Sequence, residues 1–423
     1  MNAETLDLAR LQFAITAGAH FLFVALTLGL APLLAAMQTR ATVSGSETHW
    51  RMTRFWGQLY VINYGMGIVT GLVMEFQFGL NWSGLTTFAG DVFGAPLAME
   101  TLVAFFIEST FLGLWIFGWG RINRWAHLAL LWIVTLTAYV SAYWIIAANG
   151  WLQNPVGAER QGDRMVLVDR AAMLANPDAL IALLHVIGAG LLTGGFFLAG
   201  ISAFHLRRRT ADQEVFRRSL RTGMIAALPA SLLTLGAGFN QFAVVADHLP
   251  MKFAVSQGDT AEQARLQAEL AAELGPGDYS PPDWINLPLG LMMILGVALF
   301  VLASVGLVLA YVNRSGVLMR AWQRLLTWCV VLPFAAVIAG WIFREVGRQP
   351  WTINQILRTE DALAPSVSAG SMRLTLIGFT ALFAVLIALD AWLLGRFARR
   401  GPDGSALGAQ PDPAAEPEPV PNF

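Results

Sequence analysis

LQFAITAGAHFLFVALTLGL, residues 11–30, is an apolar run with one ionisable side chain, His20. At about 1.5 Å of helix rise per residue it is roughly 30 Å long, the thickness of a bilayer's hydrocarbon core. Runs of the same length and character return along the chain. The predicted spans are 12–37, 55–77, 95–118, 126–148, 179–204, 222–245, 286–312, 323–344 and 372–397. The composition agrees, with 56% hydrophobic and 13% charged residues, where soluble domains hold about 25% charged residues. The expected fold class is therefore an all-α integral membrane protein of nine transmembrane helices, spanning 1–400, with a disordered tail over 401–423 that is rich in Pro, Ala and acid.

Arginine sets the expected orientation. Alternate loops hold Arg40, Arg51 and Arg54; Arg121 and Arg124; Arg207, Arg208, Arg209, Arg217, Arg218 and Arg221; Arg314, Arg320 and Arg324; and Arg396, Arg399 and Arg400. Positive loops stay cytoplasmic, so the N-terminus is expected outside and the C-terminus, with the tail, inside. The long loops 149–178, 246–285 and 345–371 then lie outside. The N-terminus lacks the charged, apolar and cleavage segments of a signal peptide. The single cysteine, Cys329, lies within a span, which excludes a disulfide framework and a cysteine metal motif. No basic patch interleaved with aromatics points to nucleic acid, and no internal repeat is visible.

An ionisable group in mid-membrane costs a few kcal/mol, roughly 2.5–3.5 on insertion scales. The residues that incur this cost are His20, Glu100, Glu108 and His185, with Glu75, Arg344, Glu345 and Asp390 nearer span ends, and His127 and His205 at cytoplasmic ends. Helix rise puts His20 roughly 12 Å below the outer surface, His185 and Met292 roughly 9 Å, and Glu100 roughly 8 Å. Glu108 and Ser141 lie deeper. Singly, each has a packing explanation. Methionine is a common core filler, and Met293 competes with Met292. Together, histidine and methionine on different helices at one depth suit the axial positions of a low-spin haem. A second histidine near carboxylates suits a high-spin haem.

The order of motifs then identifies a family. LQFAITAGAHFLFVALTLGL at 11–30, GLVMEFQFGLNWS at 71–83, GAPLAMETLVAFFIESTFLGLW at 94–115, ANGWLQNPVG at 148–157 and GRQPW at 347–351 resemble subunit I of cytochrome bd-type quinol:oxygen oxidoreductases. The similarity covers about 1–400, with gaps in the outer loops. The resemblance implies His185 and Met292 as axial ligands of haem b558. It implies His20 and Glu345 as ligands of the pair haem b595 and haem d (or a haem b in its place), with Glu100 beside them. It implies Trp341 between haems and Arg348 on a propionate or a carboxylate. Glu108, Ser141 and His127 would lie on a proton path from the cytoplasm. Lys252, the only lysine in the chain, falls in the outer loop 246–285, the family's Q-loop, where quinol is oxidised. Implied partners are subunit II, a small single-helix subunit, quinol, oxygen and membrane lipid. The implied location is the bacterial cytoplasmic membrane, and the implied activity reduces oxygen to water without pumping protons.

Two positions depart from the family pattern. The glutamate usually found five residues after the lysine is Gln257 here, with Asp259 or Glu262 as candidate substitutes. The arginine usually found two residues before the methionine is Gly290, which predicts a lower potential for that haem. The alternatives are a divergent haem b-only or cyanide-insensitive-type oxidase, a haem-binding sensor, and a transporter or channel using Glu100 and Glu108. The absence of an inverted repeat and the presence of GRQPW weigh against a transporter or channel.

Overall fold

A computed structural model describes residues 3–312 and 316–408. Among these residues, nine helices are long and apolar enough to cross a membrane. They are α1 (Ala3–Ser44), α2 (Glu47–Leu80), α3 (Ser83–Phe117), α4 (Arg124–Gln153), α5 (Pro177–Arg208), α6 (Gln213–His248), α9 (Asn286–Tyr311), α10 (Val317–Val346) and α11 (Ala369–Arg400). Two shorter helices, α7 (Pro250–Gln257) and α8 (Thr260–Leu274), fold the loop between α6 and α9. Outward positions stay apolar, as at Phe76, Val308 and Ile377. A bundle in lipid requires this, because hydrocarbon satisfies no polar group.

Local chemistry sets the helix starts. Asn123 accepts from Trp125 N at 2.8 Å to open α4. Asn176 does the same for α5, accepting from Asp178 N at 3.0 Å ahead of Pro177 in the first turn. Asp259 caps α8 and Ser368 caps α11. Side-chain oxygens are the usual partners for the free N–H groups of a first turn. α1 and α5 touch backbone to backbone: a Cβ on Gly29 would lie 2.7 Å from Gly194 N. Only glycine permits that approach, the common device of membrane helix pairs.

α3 is irregular at two places, a kink at Ala89 and a π turn at Glu100–Phe105 that follows Pro96. In a regular helix Glu100 and Glu108, eight residues apart, would differ by about 80° around the axis. A π turn absorbs one residue, so the difference falls to about 20° and both carboxyls face one side.

The loops at one end are ordered and knit together. β1 (Ala158–Gln161) and β2 (Arg164–Leu167) form a hairpin after α4. β3 (Trp351–Ile353) and β4 (Leu357–Arg358) form another after α10. Asn354 ties the second hairpin to α4 through Leu152 O (3.0 Å) and to α6 through His248 O (2.9 Å). At the opposite, arginine-rich end, the tail expected from 401 departs from expectation. Residues 401–408 pack on the bundle, with Leu407 buried, Asp403 paired to Arg51 at 2.6 Å and Ser405 bonded to Arg54 O at 3.1 Å. The apolar Leu407 finds a site in the core there, which a composition reading of the whole tail averaged away. Residues 409–423 and Arg314 lie outside the described residues.

Candidate functional site

Two cavities open inside the loop-bearing half of the bundle. The first, of about 280 Å³, is lined by His20, Glu75, Glu100, Glu108, Ser141, Glu345 and Arg348 among apolar side chains. The second, of about 250 Å³, is lined by His185, Met292, Met293, Lys252 and Arg344. Trp341 and Phe21 line both, their rings 5.1 Å apart and tilted by 31°. They form the partition. α1 therefore contributes to the first cavity with His20 and to the divider with the next residue.

Both cavity histidines have one nitrogen committed and one free. His185 Nδ1 lies 2.9 Å from Thr234 O. A carbonyl only accepts, so Nδ1 carries the proton and donates it, and Nε2 keeps its lone pair. His20 Nδ1 lies 2.9 Å from Thr70 Oγ1, whose own hydrogen goes to Met66 O at 2.9 Å. Nδ1–H is again the donor. Among the described residues no hydrogen bond reaches Nε2 of either ring. A ring N–H anchored on a carbonyl or hydroxyl, with the other nitrogen open, is the arrangement of a metal-ligating histidine. His127 and His205 contrast with this. His127 is buried with Nδ1 on Gln38 Nε2 and Nε2 on Trp115 O, each at 2.9 Å. His205 bonds Thr210 and Ala398. His127, expected on a proton path, has both nitrogens occupied in a closed triangle with Gln38 and Trp115.

Glycines make room beside the donors. A Cβ on Gly71 would sit 3.3 Å from His20 Cε1, and one on Gly238 would sit 3.2 Å from His185 Cε1. One on Gly340 would sit 2.7 Å from Met292 Sδ. This contact separates the two methionines: Met292 turns its sulfur toward α10, whereas Met293 is 43% exposed. Gly290 faces open space.

The carboxylates fall into two groups. Glu345 accepts from Arg348 Nη2 at 2.6 Å and from Asn149 Nδ2 at 2.8 Å. Arg344 holds Asn149 in turn at 2.6 Å and reaches buried Asp178 at 3.2 Å. Glu100 accepts from Ser141 at 3.0 Å and from Thr101 at 3.1 Å, with Glu75 in hydrogen-bonding reach. Ser141 thus serves Glu100. Glu108 is buried, with Oε1 unpartnered. Asp390, on α11, lines neither cavity.

The donor set fits a porphyrin. Among the described residues no three His, Cys, Asp or Glu side chains gather around one point, so a bare ion would find no protein cage. Donors come one or two per cavity, which suits iron that arrives with four ring nitrogens. Arg348 is buried, and its Nε and Nη1 lack partners. Two idle buried guanidinium donors call for an anion, and a propionate satisfies that need.

A third, more polar cavity of about 210 Å³ lies under the loops. Lys252 lines both this cavity and the His185 cavity, and Arg348 lines both this cavity and the His20 cavity. Lys252 is 4% exposed, donates to Arg344 O at 3.1 Å and lies 4.6 Å from the Phe343 ring. Burial pushes its ammonium down to about 7, and the nearby Arg344 charge adds to the effect against Asp178 and Glu345. Gln257 lies off this cavity, exposed and bonded to Ser256. The proposed substitutes are committed elsewhere: Asp259 caps α8, and Glu262 pairs with Arg265 at 2.5 Å. The carboxylates that do line the cavity are Glu269 and Glu273 on α8; Glu269 shares Arg265 with Glu262, which leaves Glu273 uncommitted to that arginine. The spacing of Glu269 and Glu273 with buried Leu266 and Leu270, three to four residues apart, is the sequence signal that could have placed them.

The comparisons with known proteins bear on the whole chain. The description "Cytochrome bd terminal oxidase subunit I" matches residues 8–275 and 272–402. The cytochrome bd ubiquinol oxidase subunit 1 of Bacillus subtilis (strain 168) is 37% identical, over 94% of this chain and 94% of that one. The cytochrome bd-II ubiquinol oxidase subunit 1 of Escherichia coli (strain K12) is 31% identical, over 94% and 97%. The structure of the bd oxidase from Geobacillus thermodenitrificans superposes with a TM-score of 0.82 at 26% identity, covering 95% of this chain and 100% of that one. The tandem of donor-bearing cavities and the full-length matches agree: the chain belongs to the cytochrome bd terminal oxidase subunit I family.

Proposed function

We propose that the chain is the haem-bearing subunit of a terminal oxidase in the bacterial cytoplasmic membrane, working with a second subunit. It oxidises quinol at the face carrying the long loops and reduces oxygen to water with protons from the arginine-rich, cytoplasmic face. The observation that carries the reading is the pair of histidines, each with Nδ1–H anchored and Nε2 free, in two cavities separated by Trp341 and Phe21.

In this reading His185 and Met292 hold haem b558, and Thr234 fixes the imidazole tautomer. His20 and Glu345 hold the high-spin pair, haem b595 and haem d or a haem b in its place, with Glu100 alongside. Arg348 neutralises a propionate. The bound haems supply electron transfer and oxygen reduction; the protein supplies ligation, spacing and proton access. Lys252, in the wall of the loop cavity, orients a quinol hydroxyl. Glu273 accepts its proton in place of the carboxylate absent at Gln257, and the proton leaves to the outside. Glu108 carries protons inward toward the His20 cavity, with Ser141 holding Glu100. Charge separation follows from this sidedness, without a pump.

Reduced-minus-oxidised spectra of membranes carrying the complex, together with quinol-driven oxygen uptake, test the proposal. Haem bands and uptake are expected. Absence of every haem band refutes it. His185→Ala should remove the low-spin signal alone. Equal loss of all haems would report misfolding, and retention of the low-spin signal would refute the ligand assignment.

A further inference from the structure

Three buried polar atoms in the wall of the His20 cavity or one helical turn beyond it lack partners: Tyr64 Oη and Glu108 Oε1 in the wall, and Tyr60 Oη beyond it. Tyr60, Tyr64 and Glu108 are 0%, 7% and 6% exposed. Tyr60 and Tyr64 stand one turn apart on α2, their rings 5.9 Å apart and tilted by 31°. Both are within electrostatic reach of Glu108, and Tyr64 is also within reach of Glu100. Tyr64 and Glu108 line the cavity. Tyr60 lies a turn, about 5.4 Å, further toward the arginine-rich end.

An unsatisfied buried hydroxyl or carboxyl is costly, and folded proteins rarely leave several together. Phenylalanine would fill both ring sites without that cost. Two neighbouring polar groups are closed: Trp56 bonds Ser219 at 2.8 Å, and Gln38, Trp115 and His127 satisfy one another. The three open atoms do not bond one another, and both tyrosines interact electrostatically with Glu108. Water is the group that bridges them, since each molecule makes about three hydrogen bonds to otherwise idle polar atoms. A phenol both donates and accepts, so it transmits a hydrogen-bonded chain without ionising.

We propose that Tyr60 and Tyr64, joined by ordered water, form the last leg of a proton file that ends on Glu108. In each transfer, water on the Tyr60 side gives up a proton, each phenol oxygen accepts one hydrogen and releases its own, and a Glu108 carboxylate oxygen receives the last. No electrons move, and both phenols end neutral. The two tyrosines are positioning residues for Glu108, and the inference rests on the reading of Glu108 as the inward proton carrier.

The test uses the assembled oxidase with Tyr60→Phe, Tyr64→Phe and Glu108→Gln. Haem spectra report assembly, quinol-driven oxygen uptake reports turnover, and infrared difference spectra report the Glu108 carboxyl band, identified by its loss in Glu108→Gln. Each phenylalanine should lower turnover by about tenfold or more and shift the Glu108 band, with haem spectra unchanged. Unchanged turnover and an unmoved band in both variants would overturn the file and leave the oxidase reading standing. A wild type without quinol-driven uptake would sink the oxidase reading, while the band shift would still report the water link. If a variant fails to assemble, the wild type imaged at a resolution that shows water decides the matter. Water joining Tyr64 Oη to Glu108 Oε1 is expected; a dry gap overturns the proposal.

Discussion

Replacing Lys252 with methionine keeps the stem of the side chain out to Cε and removes the ammonium with its charge. The lysine is buried in α7, with one carbonyl partner, Arg344 O at 3.1 Å, and the face of Phe343 at 4.6 Å. A Cβ on Gly347 would sit 2.6 Å from the lysine's Cε, so the stem occupies a slot only glycine leaves open. The ammonium, ordinarily at 10.5, falls to about 7. At about 1.36 kcal/mol per tenfold change in proton affinity, holding that proton costs the folded state about 5 kcal/mol. The unfolded chain binds the proton more tightly, so between about pH 7 and 10.5 folding stability rises with pH on account of this group. The penalty is complete below about 7. Methionine removes it and gives up a hydrogen bond worth about 1 kcal/mol. Lys252→Met should therefore be more stable than the parent at pH 6 by up to about 4 kcal/mol, with the advantage fading toward pH 10. Tryptophan fluorescence melts of the detergent-solubilised complex across that range measure the difference. In the same variant kcat/KM for quinol should fall about 10- to 150-fold, the worth of a charge-assisted hydrogen bond. Oxygen uptake driven by an artificial donor that bypasses the loop cavity should persist. A melting difference that ignores pH, or full quinol activity, would refute the reasoning.

Asp178→Ala should destabilise the bundle by about 3–5 kcal/mol at most, because it strands the half-buried Arg344 guanidinium; heat-inactivation midpoints check this, and a neutral result would mean that Asn149 alone satisfies Arg344. Gly340→Ala places a methyl 2.7 Å from Met292 Sδ, so the low-spin haem band should shift while the signals of the His20 cavity stay put; a shift in both would mean that the partition does not isolate them. A cysteine placed at Glu273 should react with a membrane-impermeant maleimide in intact cells, the native Cys329 being buried; labelling only after lysis would reverse the proposed orientation.

Much of the molecule was legible in the sequence. Span number and limits follow from apolar length, which is a local property set by bilayer thickness. The candidate donors His20 and His185 stand out because ionisable side chains in mid-membrane are costly, whereas Met292 and Glu345 were singled out by the resemblance that the long motifs carry. The loop carboxylates were not legible because the family pattern marks position 257, whose side chain is exposed and lies off the cavity. Glu269 and Glu273 reach the cavity only because α8 folds back over it.

By itself, the sequence determined how many helices cross and which side chains could serve as donors. The tertiary structure decided which nitrogen of each histidine is free, through Thr70 and Thr234 on neighbouring helices. It decided that Glu100 and Glu108 share a face, through a π turn that shifts helical phase by one residue. It set Trp341 against Phe21 as a wall, closed His127 into a triangle, and left Tyr60 and Tyr64 open beside Glu108. The reason is physical. Hydrophobic length is read along one helix, whereas a proton's place, a partner and a phase depend on groups that only packing brings together.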